Sequence, residues 1–248
     1  MSNGIIVAIM QGRFGNCMFT YALARGYAER HGFQLQTGPW LGQQIFQLDD
    51  APIEKELPLR TEFDVVPGEA DIAFRSYAMS QKAIDWYTRR DAQRWFQLRP
   101  KITEVLPCVP NYCCAHLRHG DFLGLDGFVA VSRESYIRAC GEYGINPTEM
   151  QFVQEEPQSR SAPAALPSDV APFLPDFWLM MQARLLLRAN SSFSWWAATL
   201  GKAESVFSPK LDGILAGSRE PQAVPFVEGN WPAISTQHWF CSDLHLKP

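Results

Sequence analysis

The sequence lacks three features that would narrow its function at once: an excess of positive charge, a long apolar run and paired cysteines. Its 22 Lys and Arg residues against 26 Asp and Glu residues give a formal net charge of −4, which offers no support for a nucleic-acid partner. No apolar run approaches the roughly 20 residues that cross a bilayer, so we expect no transmembrane segment. Residues 1–4 hold no basic cluster of the kind that opens a signal peptide.

The six cysteines show neither a Cys-x-x-Cys pair nor the spacing of a secreted disulfide scaffold. This pattern predicts mostly reduced thiols in the core of a cytoplasmic protein, with peripheral association to a membrane left open. The chain has 248 residues, of which 46% are hydrophobic and 19% charged. It is therefore long enough for one large or two small globular domains.

Apolar segments with strand character alternate with segments of helical periodicity along the chain. Strands are predicted at 4–10, 33–37, 112–117, 150–154, 185–189 and 204–207, and helices at 16–30, 80–95, 132–143, 177–184 and from 193. Asn16, Ser132 and Asp176 are interpreted as residues that cap three of these helices. The alternation favours an α/β fold with parallel sheets.

Polar turns follow three of the predicted strands. They are Gly12-Arg-Phe-Gly-Asn16, His116-Leu-Arg-His-Gly-Asp121 and Asn190-Ser-Ser-Phe-Ser194. Because ligands of parallel α/β sheets lie at the carboxyl ends of strands, we expect the three turns to share one crevice. Arginine charge, serine hydroxyls, helix N–H groups and glycines suit a nucleotide diphosphate. No Asp-x-Asp pair lies beside these turns to hold Mg²⁺, so we expect no metal.

Together these motifs resemble those of the inverting α-1,2-fucosyltransferases, and they are similar to those of the α-1,6- and protein O-fucosyltransferases. The first matching stretch is Gln11-Gly-Arg-Phe-Gly-Asn-Cys-Met-Phe-Thr-Tyr-Ala22, the second is His116-Leu-Arg-His-Gly-Asp121, and the third runs from Asp176 to Trp196. The resemblance implies a GT-B-like fold of two Rossmann-like units whose parallel sheets face a central cleft. Residues 1–100 would form the acceptor side and residues 101–248 the unit that binds the donor nucleotide.

The resemblance also implies the chemistry. Fucose would move from GDP-β-L-fucose, without a cofactor or metal, to a sugar hydroxyl of a glycan acceptor, O-2 of a galactose. The residues implied in catalysis are Arg118, Asp121 and Asn16. The residues implied in donor binding are Arg13, Phe14, Gly15, Asn16, His116, Arg118, Glu155, Glu156, Asn190, Ser191, Ser192, Phe193 and Ser194.

Two positions depart from the family pattern. Glu155 and Glu156 stand where the family has an Asp-Asp pair, so a longer acidic side chain would have to read guanine. His119 replaces the second arginine of the 116–121 motif, which removes one fixed positive charge. The resemblance does not identify the base that deprotonates the acceptor, and the nearest carboxylates in sequence are Asp121, Asp126 and Glu134.

Each candidate also has a purely structural interpretation. Arg118 could pair with Asp121 in a solvated loop, Asn16 could serve only as a helix cap, and His116 could be a core histidine. Two rival functions follow from the same residues. One is a sugar-nucleotide or glycan-binding protein without catalysis, and the other is a histidine phosphatase that uses His119 of the Arg-His-Gly sequence.

Overall fold

A computed structural model describes residues 4–106, 112–154, 171–211, 213–214 and 216–229, but not the side chain of Asp121. Glu155 and Glu156 therefore lie outside the described residues. The chain divides into two compact units, the first ending at Thr103 and the second beginning at Glu104. In the described part of the chain, Cys113, Cys114 and Cys140 are buried free thiols and Cys17 is a half-buried one. No helix of the described residues is long and apolar enough to cross a membrane.

The first unit contains one long helix and several short elements. In chain order they are β1 (Ile5–Ala8), α1 (Phe14–His31), β2 (Gln34–Thr37), α2 (Gly42–Ile45), β3 (Ala51–Pro52), β4 (Leu59–Arg60), β5 (Ile72–Phe74), α3 (Gln81–Ile84), α4 (Arg89–Trp95) and α5 (Pro100–Thr103). The strands within the described residues form one parallel sheet in the order β3-β2-β1-β5-β4.

The centre of this sheet is β1, which is apolar enough to be covered on both faces. Ile6, Val7 and Ala8 are each 2% exposed or less, as expected for a central parallel strand. Next to β1, α1 ends at Gly32, whose φ of 70° lets the chain turn back into β2. The predicted βαβ opening is therefore present in the structure.

The second unit alternates strands and helices more regularly. Its elements are β6 (Cys113–Leu117), α6 (Arg133–Glu142), β7 (Met150–Gln154), α7 (Leu174–Gln182), β8 (Leu185–Leu187), α8 (Ser192–Leu200), β9 (Ser205–Pro209) and β10 (Phe226–Glu228). Its described strands pair in the order β10-β9-β8-β6-β7, with only the β10–β9 pair antiparallel.

The core of this unit lies around β6, whose five residues are all buried. Tyr136 of α6 and Phe226 of β10 meet there with ring centroids 4.9 Å apart, and Leu187 and Phe207 belong to the same apolar cluster. Since β6 and β8 are adjacent and parallel, with Ala115 opposite Leu187, the loops that follow them leave the same edge of the sheet. Two of the three predicted turns are these loops.

Three predictions about helices were wrong in detail. The predicted helix 80–95 is divided into α3 and α4, because Thr88 and Asp91 form a capping box that starts a new helix. Asn16 is not a cap, since α1 begins two residues earlier with Arg13 in the N-cap position. Asp176 lies in the first turn of α7 rather than before it. The cap at Ser132 is confirmed, because its hydroxyl accepts a bond from the Ser135 N–H at 3.4 Å.

Candidate active site

His116 lies near the end of β6, between β7 and β8. Its side chain is 3% exposed, and burial together with the charges of Arg118 and Arg188 lowers its pKa to about 3. The imidazole is therefore neutral at physiological pH. Its Nδ1 has no hydrogen-bond partner in the part of the chain that the structure describes. Because buried polar atoms are normally paired, this nitrogen marks a position where a ligand atom can bind.

Tyr136 of α6 fixes the backbone at His116. Its hydroxyl donates to the His116 carbonyl at 2.7 Å, and the same oxygen lies 3.4 Å from the carbonyl of Arg188, which follows β8. Burial raises the pKa of Tyr136, so the phenol keeps its proton and continues to donate. One buried side chain thus connects the carboxyl ends of two adjacent strands.

The loop after β6 holds Arg118 in a defined orientation. The half-buried guanidinium lies 4.9 Å from the centroid of the Phe122 ring, and this packing fixes the plane of its N–H groups. The Nε2 of His119 donates to the Val131 carbonyl at 2.7 Å, which connects the loop to the segment before α6. One ring nitrogen of His119 therefore has a structural role.

The turn after β8 caps α8 with its own serine. The Ser191 hydroxyl accepts a bond from the Phe193 N–H at 3.3 Å, so helix formation begins directly after the strand. Ser194 is fully buried, and its hydroxyl donates to the carbonyls of Ala189 and Ser191, each at 3.3 Å. Ser194 thus stabilises the turn itself, whereas Asn190, Ser191 and Ser192 are half-buried at the helix N-terminus.

Phe193 brings this turn against the end of β6. Its ring centroid lies 5.8 Å from that of His116, and it also packs on Phe173 and Phe177 at 5.4 and 5.0 Å. The structure therefore places His116 beside the positive end of the α8 dipole. Two of the predicted turns are therefore neighbours, and the buried His116 lies next to both.

Arg188 is a charged residue that the sequence did not suggest as part of this region. It is 1% exposed, and burial lowers its pKa to about 9, so it remains protonated at neutral pH. Its Nη1 donates to the Ser208 hydroxyl at 3.1 Å, and that hydroxyl donates to the Gly229 carbonyl at 2.7 Å. Its position directly before Ala189 and the turn was visible in the sequence, but its burial was not.

The predicted turn of the first unit lies between β1 and α1. Gly12 has a φ of 70°, and Arg13 is exposed at the N-cap position without capping the helix through its side chain. Phe14 stacks on Phe46 with centroids 5.9 Å apart, Gly15 is buried and Asn16 is half-buried. The structure thus confirms a polar turn at the carboxyl end of β1. That this turn shares one crevice with the other two stays a prediction.

The candidates for a general base are less well defined. Asp126 and Glu134 are exposed, Glu134 in the first turn of α6, and the side chain of Asp121 is not described. The acidic pair Glu155 and Glu156 also lies outside the described residues. Among the residues that the structure describes, no group of three His, Cys, Asp or Glu side chains is arranged to hold a metal ion.

No family model and no curated protein matches the sequence. Solved structures do match the fold. Two are of NodZ α-1,6-fucosyltransferase. The one soaked with GDP-fucose has a TM-score of 0.53 at 15% identity, covering 91% of this chain and 99% of that one. The one co-crystallised with GDP has a TM-score of 0.55 at 15% identity, covering 93% and 100%.

A third, of fucosyltransferase NodZ from Bradyrhizobium, has a TM-score of 0.54 at 14% identity and covers 92% and 99%. The fold is α/β and GT-B-like. At such low identity this likeness concerns the fold alone. The predicted fold class is thereby confirmed, while the linkage that the sequence resemblance implied, α-1,2, differs from the α-1,6 linkage in the name of these structures.

Proposed function

We propose that this protein is an inverting glycosyltransferase that moves L-fucose from GDP-β-L-fucose to a sugar hydroxyl of a glycan acceptor, O-2 of a galactose. The observation that carries the proposal is the buried, neutral His116 with an unpaired Nδ1, adjacent to the N-terminus of α8. A buried donor or acceptor without a partner costs free energy unless a ligand satisfies it. In this proposal the nucleotide of the donor does so.

The departing GDP requires positive charge at its β-phosphate. Arg118, oriented by Phe122, can donate two N–H groups to phosphate oxygens, and the N-terminus of α8 with Ser191 and Ser192 adds dipole and hydroxyl groups. Both groups are positioned before the reaction, so they stabilise charge as it develops on the leaving oxygen. In this proposal Arg118 and the N-terminus of α8 supply the positive charge that a divalent cation supplies in other enzymes.

The acceptor hydroxyl attacks the anomeric carbon from the side opposite to GDP. The bond to the phosphate oxygen breaks as the new C–O bond forms, through an oxocarbenium-like transition state comparable to that of glycoside hydrolysis. A carboxylate takes the hydroxyl proton. Asp121, Asp126 and Glu134 are the candidates, and the exposure of Asp126 and Glu134 leaves both accessible to an acceptor.

The decisive experiment measures GDP release from GDP-fucose with and without a galactose-terminated oligosaccharide, in buffer and in excess EDTA. We expect acceptor-dependent release that persists in EDTA, and a fucosylated product whose linkage NMR identifies as α-1,2. A requirement for Mg²⁺ or Mn²⁺ would contradict the metal-independent mechanism. An α-1,6 product would correct the acceptor position and leave the donor chemistry intact.

The same experiment separates the rival functions. Tight GDP binding without turnover would indicate a non-catalytic sugar-nucleotide-binding protein. A phosphatase would release inorganic phosphate and would need His119 as nucleophile. The hydrogen bond from its Nε2 to the Val131 carbonyl at 2.7 Å commits that nitrogen to the structure of the loop, which disfavours the phosphatase.

A further inference from the structure

The loop that follows β5 brings a tyrosine beside the turn of Gly12. β1 and β5 are adjacent parallel strands with Ala8 opposite Phe74, so the loops that leave them lie side by side at one edge of the sheet. A Cβ added to Gly12 would lie 3.0 Å from Cε1 of Tyr77. The Tyr77 ring is 48% exposed. It is therefore packed against the turn on one side and open to solvent on the other.

A buried carboxylate anchors both ends of this loop. Glu62 is 3% exposed, and its two oxygens accept bonds from the Ser76 hydroxyl at 2.5 Å and the Ser80 hydroxyl at 2.9 Å. Ser80 in turn caps α3 by accepting a bond from the Ala83 N–H at 3.3 Å. Because one buried side chain bonds to the serines at both ends of the loop, the loop between them has little freedom.

The backbone on both sides of Tyr77 is fixed as well. The Thr20 hydroxyl of α1 donates to the Ser76 carbonyl at 2.6 Å. Ala78, directly after Tyr77, is buried and has a φ of 51°, a left-handed conformation that is strained for a residue with a Cβ. We call the bonds of Glu62 to Ser76 and Ser80 the clamp. A strained backbone held by this clamp around a half-exposed aromatic ring indicates that the position of the ring matters for binding a ligand.

We propose that Tyr77 is the platform of a sugar-binding subsite in the first unit, on which the apolar face of a pyranose ring of the acceptor glycan packs. One face of a pyranose carries C–H groups, which the electron-rich face of an aromatic ring attracts. The hydroxyls around the sugar rim need polar partners, and the exposed Arg75 is present in the same loop. The assignment of the sugar to the acceptor rests on the function proposed above.

Sugar binding is measured on the whole chain by NMR titration with neutral oligosaccharides that end in galactose, glucose or N-acetylglucosamine. Tyr77→Phe keeps the ring and should bind like the wild type. Tyr77→Ala should weaken the best-binding sugar about tenfold or more, since it removes the whole stacking surface. Because the side chain is half-exposed, neither change should alter the thermal midpoint appreciably.

Phe63 provides a matched control. Its ring is 63% exposed in the same unit, with the Lys82 ammonium 5.9 Å from its centroid, and Phe63→Ala should leave sugar binding unchanged. Ala78→Gly tests the clamp. It relieves the left-handed strain, so the fold should not lose stability, whereas a looser Tyr77 should bind sugar measurably less well.

The outcomes separate this inference from the proposed function. GDP titration of the same variants should show wild-type affinity throughout, and failure of the wild type to bind GDP would contradict the proposed function without affecting the sugar titration. Three results would overturn the platform: no binding of any sugar in the panel to the wild type, equal binding by Tyr77→Ala, or equal weakening by Phe63→Ala.

Discussion

In the second unit His116 is 3% exposed and Arg188 is 1% exposed, whereas in the first unit Gly12 and Arg13 are exposed. The two strand-end regions carry similar polar turns, but different side chains connect their strand ends. In the second unit Tyr136 contacts the carbonyls of His116 in β6 and Arg188 after β8, and in the first unit Glu62 after β4 accepts a bond from Ser76 after β5.

The helices that follow the turns differ in the same way. The nine-residue helix α8 is capped by the side chain of Ser191, which directly precedes it, whereas the 18-residue helix α1 has no side-chain cap at its N-terminus. A site that stabilises charge on a leaving diphosphate benefits from groups fixed in a dry environment. A site that accepts a glycan needs an edge that is open to a large ligand, and the exposed Gly12, Arg13 and Tyr77 lie at such an edge. This difference supports the proposal that the second unit binds the donor and the first unit the acceptor.

The largest expected effect concerns Arg118. Arg118→Ala should reduce transfer roughly a hundredfold or more, because it removes the preorganised charge opposite the departing diphosphate. Arg118→Lys should restore little, since an ammonium cannot reproduce a two-pronged contact. The measurement is kcat/KM for GDP-fucose.

Arg133 supplies the control for this variant. Its guanidinium lies 4.1 Å from the centroid of the Phe152 ring, so it forms the same kind of arginine–aromatic pair in the same unit, but it is exposed on α6. Arg133→Ala should keep most of the activity. If both variants lose activity equally, or if Arg118→Ala is near normal, the assignment of the loop after β6 to the donor phosphate is wrong.

The second prediction uses the buried histidine. Because the pKa of His116 falls from its ordinary value of 6.5 to about 3 on folding, the unfolded chain takes up a proton below pH 6.5 that the folded chain does not. The contribution of the neutral His116 to the free energy of unfolding is fully present above pH 6.5 and is lost as the pH falls toward 3. His116 alone should make the fold about 2 kcal/mol less stable at pH 5 than at pH 7.

Urea unfolding at the two pH values, on the wild type and on His116→Asn, measures this contribution. The difference in the free energy of unfolding between pH 7 and pH 5 should be about 2 kcal/mol smaller in the variant than in the wild type, whatever the absolute stability of the variant. An unchanged pH dependence would show that His116 is not held neutral, and the contrast between the buried charged and polar side chains of the second unit and the exposed turn of the first would lose its main support.

The third prediction is that the second unit selects the guanine base of the donor nucleotide. Gln154 of β7 pairs with Leu117 of β6, and the residues that follow them in the sequence are Glu155 and Arg118. Guanine presents two adjacent donors that a carboxylate can accept together. We expect GDP to bind roughly tenfold more tightly than ADP or UDP, because unpaired buried donors cost on the order of 1–3 kcal/mol.

Calorimetric titration of Glu155→Gln and Glu156→Gln should show that at least one of them abolishes this preference. Glu149, exposed at the opposite end of β7, provides the control, and Glu149→Gln should retain it. Equal affinities for the three nucleotides in the wild type would contradict the guanine assignment and would require a different donor.

Local patterns were sufficient to predict much of the fold. The predicted strands at 112–117 and 150–154 agree closely with β6 and β7, and Gly32 marked the end of α1 because only a residue without a Cβ takes that conformation easily. The break between α3 and α4 was also visible in principle, since Thr88 and Asp91 have the spacing of a capping box. The prediction missed this break because the apolar residues keep a helical spacing on both sides of it.

What could not be predicted depends on contacts distant in sequence. Nothing local indicates that Tyr136 spans two strand ends, that Arg188 is buried, or that Ala78 adopts a positive φ. Such features arise only when the sheet has assembled around them. The site motifs were visible because they follow strands directly, whereas the residues that hold those motifs in place were not.

The smallest expected effect separates backbone strain from crowding at the open turn of the first unit. Gly12 and Gly32 both have a φ of 70°, so replacing either by alanine should cost roughly 1–2 kcal/mol of stability. Their surroundings differ. A Cβ at Gly32 would meet no atom within 4 Å, whereas one at Gly12 would lie 2.7 Å from Asn16 Nδ2 and 3.0 Å from Tyr77 Cε1.

Chemical denaturation should therefore show Gly12→Ala to be slightly less stable than Gly32→Ala, by under about 1 kcal/mol, since the Asn16 amide ends a side chain that can move. The functional difference should be clearer than the difference in stability. Gly12→Ala displaces Asn16, implied in donor binding and catalysis, and Tyr77, proposed to bind the acceptor, so it should lower kcat/KM for both substrates. Gly32→Ala, at the far end of α1, should leave both values unchanged. If the two variants share the same kcat/KM values, the turn of Gly12 does not shape the site, and the roles given to the first unit are wrong.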